Sequence, residues 1–77
     1  MKINIKYFGM ILEYIGIEKE IFFSEGDGTI HHLRKELEIK YPSLSKISYR
    51  VAVNKSLSEG KFRQGDEIAL LPPFAGG

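Results

Sequence analysis

Apolar and polar residues alternate from the start of the chain: Ile3, Ile5 and Tyr7 fall between Lys2, Asn4 and Lys6. A period of two places one set of side chains on each face of a strand, so this segment is expected to bury one face and leave the other wet. Phe8 falls on the polar side of that alternation, where a large apolar group needs a reason. Met10 to Ile15 reads as a short helix, and Gly16 as its left-handed cap. Glu18 to Ser24, with Ile21, Phe22 and Phe23, is expected to be a second strand, with Glu18, Lys19 and Glu20 as a solvated edge. Glu25-Gly26-Asp27-Gly28 is a turn, and Thr29 suits a helix N-cap. Ile30, Leu33, Leu37 and Tyr41 then recur at spacings of three and four, the stripe of an amphipathic helix. Pro42 disfavours helical geometry in the residue before it and sets the boundary near Tyr41.

The second half returns to period two. Tyr49, Val51 and Val53 alternate as a strand, Asn54-Lys55 is a turn, and a short extended piece surrounds Leu57. The stretch from Ser56 to Gln64 is short and leaves its local pairing open. Gln64-Gly65-Asp66 turns the chain, and Glu67 to Leu71 forms the last strand. Within it Ile68 and Leu70 share the core face, while Ala69 and Leu71 share the other. The order is strand, short helix, strand, helix, strands. It predicts an α+β fold of the β-grasp type: a mixed sheet of four to five strands, one main helix across a face, and one short helix. The first two strands are expected to be antiparallel neighbours, and the last to deliver a flexible C-terminal tail at one edge or end of the sheet. Residues 1–71 form the domain and 72–77 the tail.

Composition narrows the function. Seventy-seven residues with 43% hydrophobic content suit one small globular domain. Net charge is +1 with both signs interspersed, so no basic block points to nucleic acid. The opening residues lack the apolar run of a secretion signal, and no stretch reaches membrane-spanning length; a cytoplasmic protein without membrane contact is expected. There are no cysteines, which excludes disulfides and thiolate metal sites. Sulfur, if carried at all, then has no side-chain thiol to sit on. His31-His32 are neighbours on a helix and so point apart, and no carboxylate spacing completes a metal site. They are read as solvent-facing. Gly26 and Gly28 lack the spacing and lysine of a phosphate loop. Lys55, Lys61 and Arg63 serve solubility or steer an acidic partner.

The tail, Pro72-Pro73-Phe74-Ala75-Gly76-Gly77, carries the candidate chemistry. Two prolines stiffen it and lower the entropy lost on docking. Phe74 is an apolar anchor beside the end. Gly76 has no Cβ, so enclosing walls can approach it. Gly77 is expected to present a terminal carboxylate that becomes an acyl electrophile when activated, or a nucleophile as a thiocarboxylate. Six extended residues reach at most roughly 20 Å, enough for a deep pocket. Phe8, Leu71 and Leu57 are candidates for an apolar partner surface at its base. The plainer reading of the same residues is a frayed terminus above a crowded small core.

The chain resembles the small subunit of molybdopterin synthase, the MoaD family of ubiquitin-like sulfur carriers. The resemblance rests on Ile5-Lys6-Tyr7-Phe8-Gly9, on Val51-Ala52-Val53-Asn54-Lys55-Ser56-Leu57, on Gly65-Asp66-Glu67-Ile68-Ala69-Leu70-Leu71, and on the Pro-Pro-x-x-Gly-Gly end. It implies a carrier that is no enzyme on its own, binds no cofactor, and meets two partners. An E1-like adenylyltransferase uses ATP to activate Gly77, and a sulfur donor converts the adenylate to a thiocarboxylate. The large synthase subunit then receives the tail in a heterotetramer of two carriers and two large subunits, and sulfur passes to a pterin precursor of the molybdenum cofactor. Three other functions stay open: a sulfur carrier for thiamin thiazole synthesis, a ubiquitin-like modifier joined to lysines, and an interaction domain whose tail never reacts.

Overall fold

A computed structural model describes residues 1–73. Five strands form one sheet: β1 (Lys2–Tyr7), β2 (Lys19–Phe23), β3 (Arg50–Val53), β4 (Ser56–Leu57) and β5 (Glu67–Leu71), in the spatial order β2-β1-β5-β3-β4. Helix α1 (Gly9–Ile15) joins β1 to β2, and α2 (Ile30–Lys40) crosses from β2 towards β3. The pair β1–β2 is antiparallel, as expected, and so are β5–β3 and β3–β4; β1 and β5 run parallel. This is the β-grasp arrangement. The expected exit of the tail at an edge or an end resolves to an end, because β5 lies in the middle of the sheet with a neighbour on each side.

The core sits on one face. Ile3, Ile5, Tyr7, Val51, Ile68 and Leu70 point from the sheet onto Ile30, Leu33 and Leu37 of α2, with Ile11 of α1 closing one end. Local signals set the helix ends. The Thr29 hydroxyl accepts from the His32 N–H at 3.2 Å, and Gly16 adopts φ 86° while its N–H caps Leu12. The β3–β4 turn has positive φ at Asn54 and Lys55. The Asn54 side chain also accepts from the Glu67 N–H at 3.0 Å and donates to Asp66 at 3.1 Å, which pins this turn to the start of β5.

Four details depart from the expectation. β2 is one residue shorter at each end than Glu18 to Ser24, and Tyr49 packs in the core just before β3. After Tyr41 the chain makes a 3-10 turn, Pro42–Lys46, that buries Leu44. Phe62 fills the core from an irregular stretch and is held by its N–H to the Gly28 carbonyl at 2.8 Å. Neither Leu44 nor Phe62 belongs to a periodic run, so alternation gives no sign of them.

Glu20 is a correction. It belongs to the inner face of β2 rather than a solvated edge, and its side chain keeps only 13% of its exposure. Its carboxylate accepts from the Tyr7 hydroxyl, from the Tyr41 hydroxyl at 2.7 Å and from the Lys40 ammonium at 2.9 Å. The two tyrosine rings meet edge to face at 6.1 Å. Burial alone would raise the Glu20 pKa, but the hydrogen bonds from Tyr41, Tyr7 and Lys40 outweigh it and hold the carboxyl below its ordinary value. Burial first, then the Glu20 hydrogen bond and charge, push the Tyr7 hydroxyl far above the ordinary tyrosine value.

Candidate functional site

Because β1 and β5 are parallel neighbours, both finish at the same end of the sheet. The register pairs Lys6 with Ala69 and Tyr7 with Leu70. One step further, Phe8 lies beside Leu71, and the Phe8 N–H donates to the Leu70 carbonyl at 3.2 Å. Alternation does the rest: Ile68 and Leu70 are fully buried, whereas Ala69 and Leu71 are half-buried on the open face. Phe8 is 43% exposed. It occupies the N-cap position of α1, where its apolar side chain makes no capping bond.

Gly9 explains how the tail leaves. Its φ is +58°, and a Cβ there would stand 2.7 Å from Cγ of Pro72. A glycine lets the β1–α1 turn and the residue after β5 lie against each other. Pro72 and Pro73 are half-buried beyond the end of β5 and outside the ladder, as two residues of fixed φ require. Phe74, Ala75, Gly76 and Gly77, the expected anchor and reactive end, lie outside the described residues.

Leu57 faces the same side. Its partner across the β3–β4 pair is Ala52, and Ala52 in turn opposes Ala69. Leu57 is exposed but stands on the outer strand, with β3 between it and Leu71. The structure thus brings Phe8, Leu71 and Pro72 together and places Leu57 on the flank of the same face. None of these four side chains titrates, so the surface they form can bind but cannot move a proton.

Sequence reading missed the charged frame of this face. Lys6 lies across from Ala69 and makes an ion pair with Glu67 at 3.3 Å. Lys19 lies across from Lys6, and Arg50 across from Leu71. The signal was present in the alternation that marked Lys2 and Lys6 as outward. Neither it nor the exposed Arg50 pointed to a site until the strand order was known. His31 and His32 are exposed, and no group of three metal-ligating side chains occurs among the described residues. No described helix is long and apolar enough to cross a membrane.

Comparison with known proteins gives the same site a context. The model of the ThiS family matches residues 5–77. The molybdopterin synthase sulfur carrier subunit of Haemophilus influenzae is 31% identical over 80 residues, covering 97% of this chain and 99% of that protein. The crystal structure of SAMP1, a small archaeal modifier protein, from Haloferax volcanii superimposes with a TM-score of 0.81 at 25% identity, over 100% of both chains. A chain from the complex of subunits 1 and 2 of the molybdopterin-converting factor of Helicobacter pylori matches with a TM-score of 0.68 at 26% identity, again over 100% of both chains.

Proposed function

The chain belongs to the ThiS family, and from that premise we propose that it is a sulfur carrier, the small subunit of a molybdopterin synthase. The observation that carries this reading is the apolar surface of Phe8, Leu71 and Pro72 at the point where β5 releases the Pro-Pro-x-x-Gly-Gly tail. A carrier needs a docking face beside the root of its reactive tail, and Phe8, Leu71 and Pro72 lie together where that tail begins. The 31% identity to the Haemophilus sulfur carrier subunit, over nearly the whole of both proteins, favours the molybdopterin branch over the thiazole branch.

The chemistry then runs through Gly77. A carboxylate resists nucleophiles because its oxygen leaves poorly. In an E1-like adenylyltransferase the Gly77 carboxylate attacks the α-phosphorus of ATP, and pyrophosphate departs. Sulfide-level sulfur from a donor attacks the acyl carbon, the acyl–phosphate bond breaks and AMP departs, which leaves a thiocarboxylate, a soft anion at neutral pH. The docking face brings the tail to the large synthase subunit, whose groups activate a pterin precursor for attack by that sulfur. The carrier supplies delivery and orientation, and its partners supply the catalytic groups. On this reading it is a protein cosubstrate that binds no cofactor, and it works beside cytoplasmic partners.

The test is intact mass after incubation with the activating enzyme, ATP and a sulfur source. One terminal oxygen replaced by sulfur, lost on deletion of Gly77, is the expected result. No shift with an activating enzyme proven active on another carrier would refute the thiocarboxylate. The full-length likeness to the archaeal modifier protein favours a second reading, attachment to lysines. It predicts higher-mass conjugates on blots of cells expressing the tagged chain.

A further inference from the structure

The charged frame of the docking face is unexplained by the apolar contact alone. Lys2 and Lys6 of β1, Lys19 of β2 and Arg50 of β3 all belong to the open face; among the described residues of its strands Glu67 is the acidic one, with Glu18 just before β2 beside Lys19. The whole chain carries a net charge of only +1, so this face concentrates positive charge that the rest of the surface offsets. Lys6 and Lys19 are direct cross-strand partners, an arrangement of like charges that weakens a sheet. Lysine on an edge strand commonly guards against unwanted pairing, which accounts for Lys19. It does not account for Lys6 or Arg50, which sit on inner strands. Among the described residues Lys19 and Arg50 take part in no ion pair, and both are exposed. Two open grooves, of about 300 and 370 Å³, each have Lys6 and Lys19 in their walls, with one carboxylate apiece, Glu18 in the first and Glu20 in the second, the latter already engaged by Tyr7, Tyr41 and Lys40.

We propose that the surface which receives this carrier is acidic: the large synthase subunit presents carboxylates to Lys19 and Arg50 around an apolar centre that covers Phe8 and Leu71. The inference rests on the sulfur-carrier reading above. The apolar centre supplies the lasting contact. The ring of charge speeds encounter, fixes orientation and rejects carriers or receivers of the wrong sign. A chain with other residues at Lys6, Lys19 and Arg50 would belong with a different receiver.

The experiment is association kinetics between the full-length carrier and the large subunit, at low and high salt. The variants are Lys19→Glu, Arg50→Glu, their double, the charge-keeping pair Lys19→Arg and Arg50→Lys, and Lys46→Glu as a control on the helical side. Wild-type association is expected to slow as salt rises. The double reversal is expected to cut the low-salt rate roughly tenfold or more and to flatten the salt dependence. The charge-keeping variants and Lys46→Glu keep the wild-type rate. Reversals that leave the rate within about twofold of a wild type that binds overturn this inference and leave the carrier reading intact. A wild type that neither binds the large subunit nor forms a thiocarboxylate overturns the carrier reading, and this inference with it.

Discussion

Replacing Glu20 by alanine removes the one acceptor shared by β1, β2 and the end of α2, and the structure sets the size of the effect. The Tyr7 residue is 1% exposed, so its hydroxyl loses its carboxylate acceptor at a buried site. That costs about 1–3 kcal/mol. Tyr41 is half-buried and can turn to solvent, which limits its share to about 0.5 kcal/mol. The Lys40 pair is half exposed on the lysine side and adds less than about 1 kcal/mol. Together the loss is about 3 kcal/mol, or a fall in Tm of roughly 12–24 °C for a domain of this size. Urea unfolding followed by circular dichroism at neutral pH measures it. Adding Tyr7→Phe to Glu20→Ala removes the stranded hydroxyl and is expected to recover about 1 kcal/mol or more. The pH dependence has a definite sign. The folded pKa of Glu20 lies below its ordinary value of 4.5, so its stabilisation is present above that value and fades as pH falls through the lower folded value. The gap between wild type and Glu20→Ala should therefore narrow in acid below about pH 4.5. A Glu20→Ala protein within about 0.5 kcal/mol of wild type, or a double variant no more stable than the single one, would refute the network as a source of stability.

Three further outcomes test the fold and the site. Phe8→Asp is expected to weaken binding to the large subunit at least tenfold, about 1.4 kcal/mol, with the unfolding midpoint little changed, because the side chain is 43% exposed; calorimetric titration beside a melting curve separates the two effects. Gly16→Ala meets no atom within 4 Å, so only the φ of 86° is strained; a loss of about 1 kcal/mol in denaturant unfolding is expected, with unchanged sulfur transfer. Gly76→Ala is expected to leave stability untouched and to slow sulfur transfer in single-turnover assays; transfer at the wild-type rate would count against a narrow receiving tunnel.

Much of the architecture follows from short-range rules that the sequence displays openly. The alternation at Ile3, Ile5 and Tyr7, the three- and four-residue spacing from Ile30 to Leu37, the Thr29 cap and the left-handed Gly16 each depend on neighbours a few residues away, and each appears in the structure. The same alternation assigned Leu70 to the core and Leu71 to the open face. What it left undecided is which strands are neighbours, since a strand presents the same periodicity wherever it sits in a sheet. Only the parallel pairing of β1 with β5 brings Phe8, Leu71 and Pro72 to one place, and only the register sets Lys19 and Arg50 around them. Glu20 shows the limit most clearly. A carboxylate between Lys19 and Ile21 looks solvated in one dimension, because the three donors that compensate its burial come from distant positions in the chain. Local sterics and periodicity are written residue by residue, whereas the balance between desolvation and hydrogen bonding is settled only where separate segments meet.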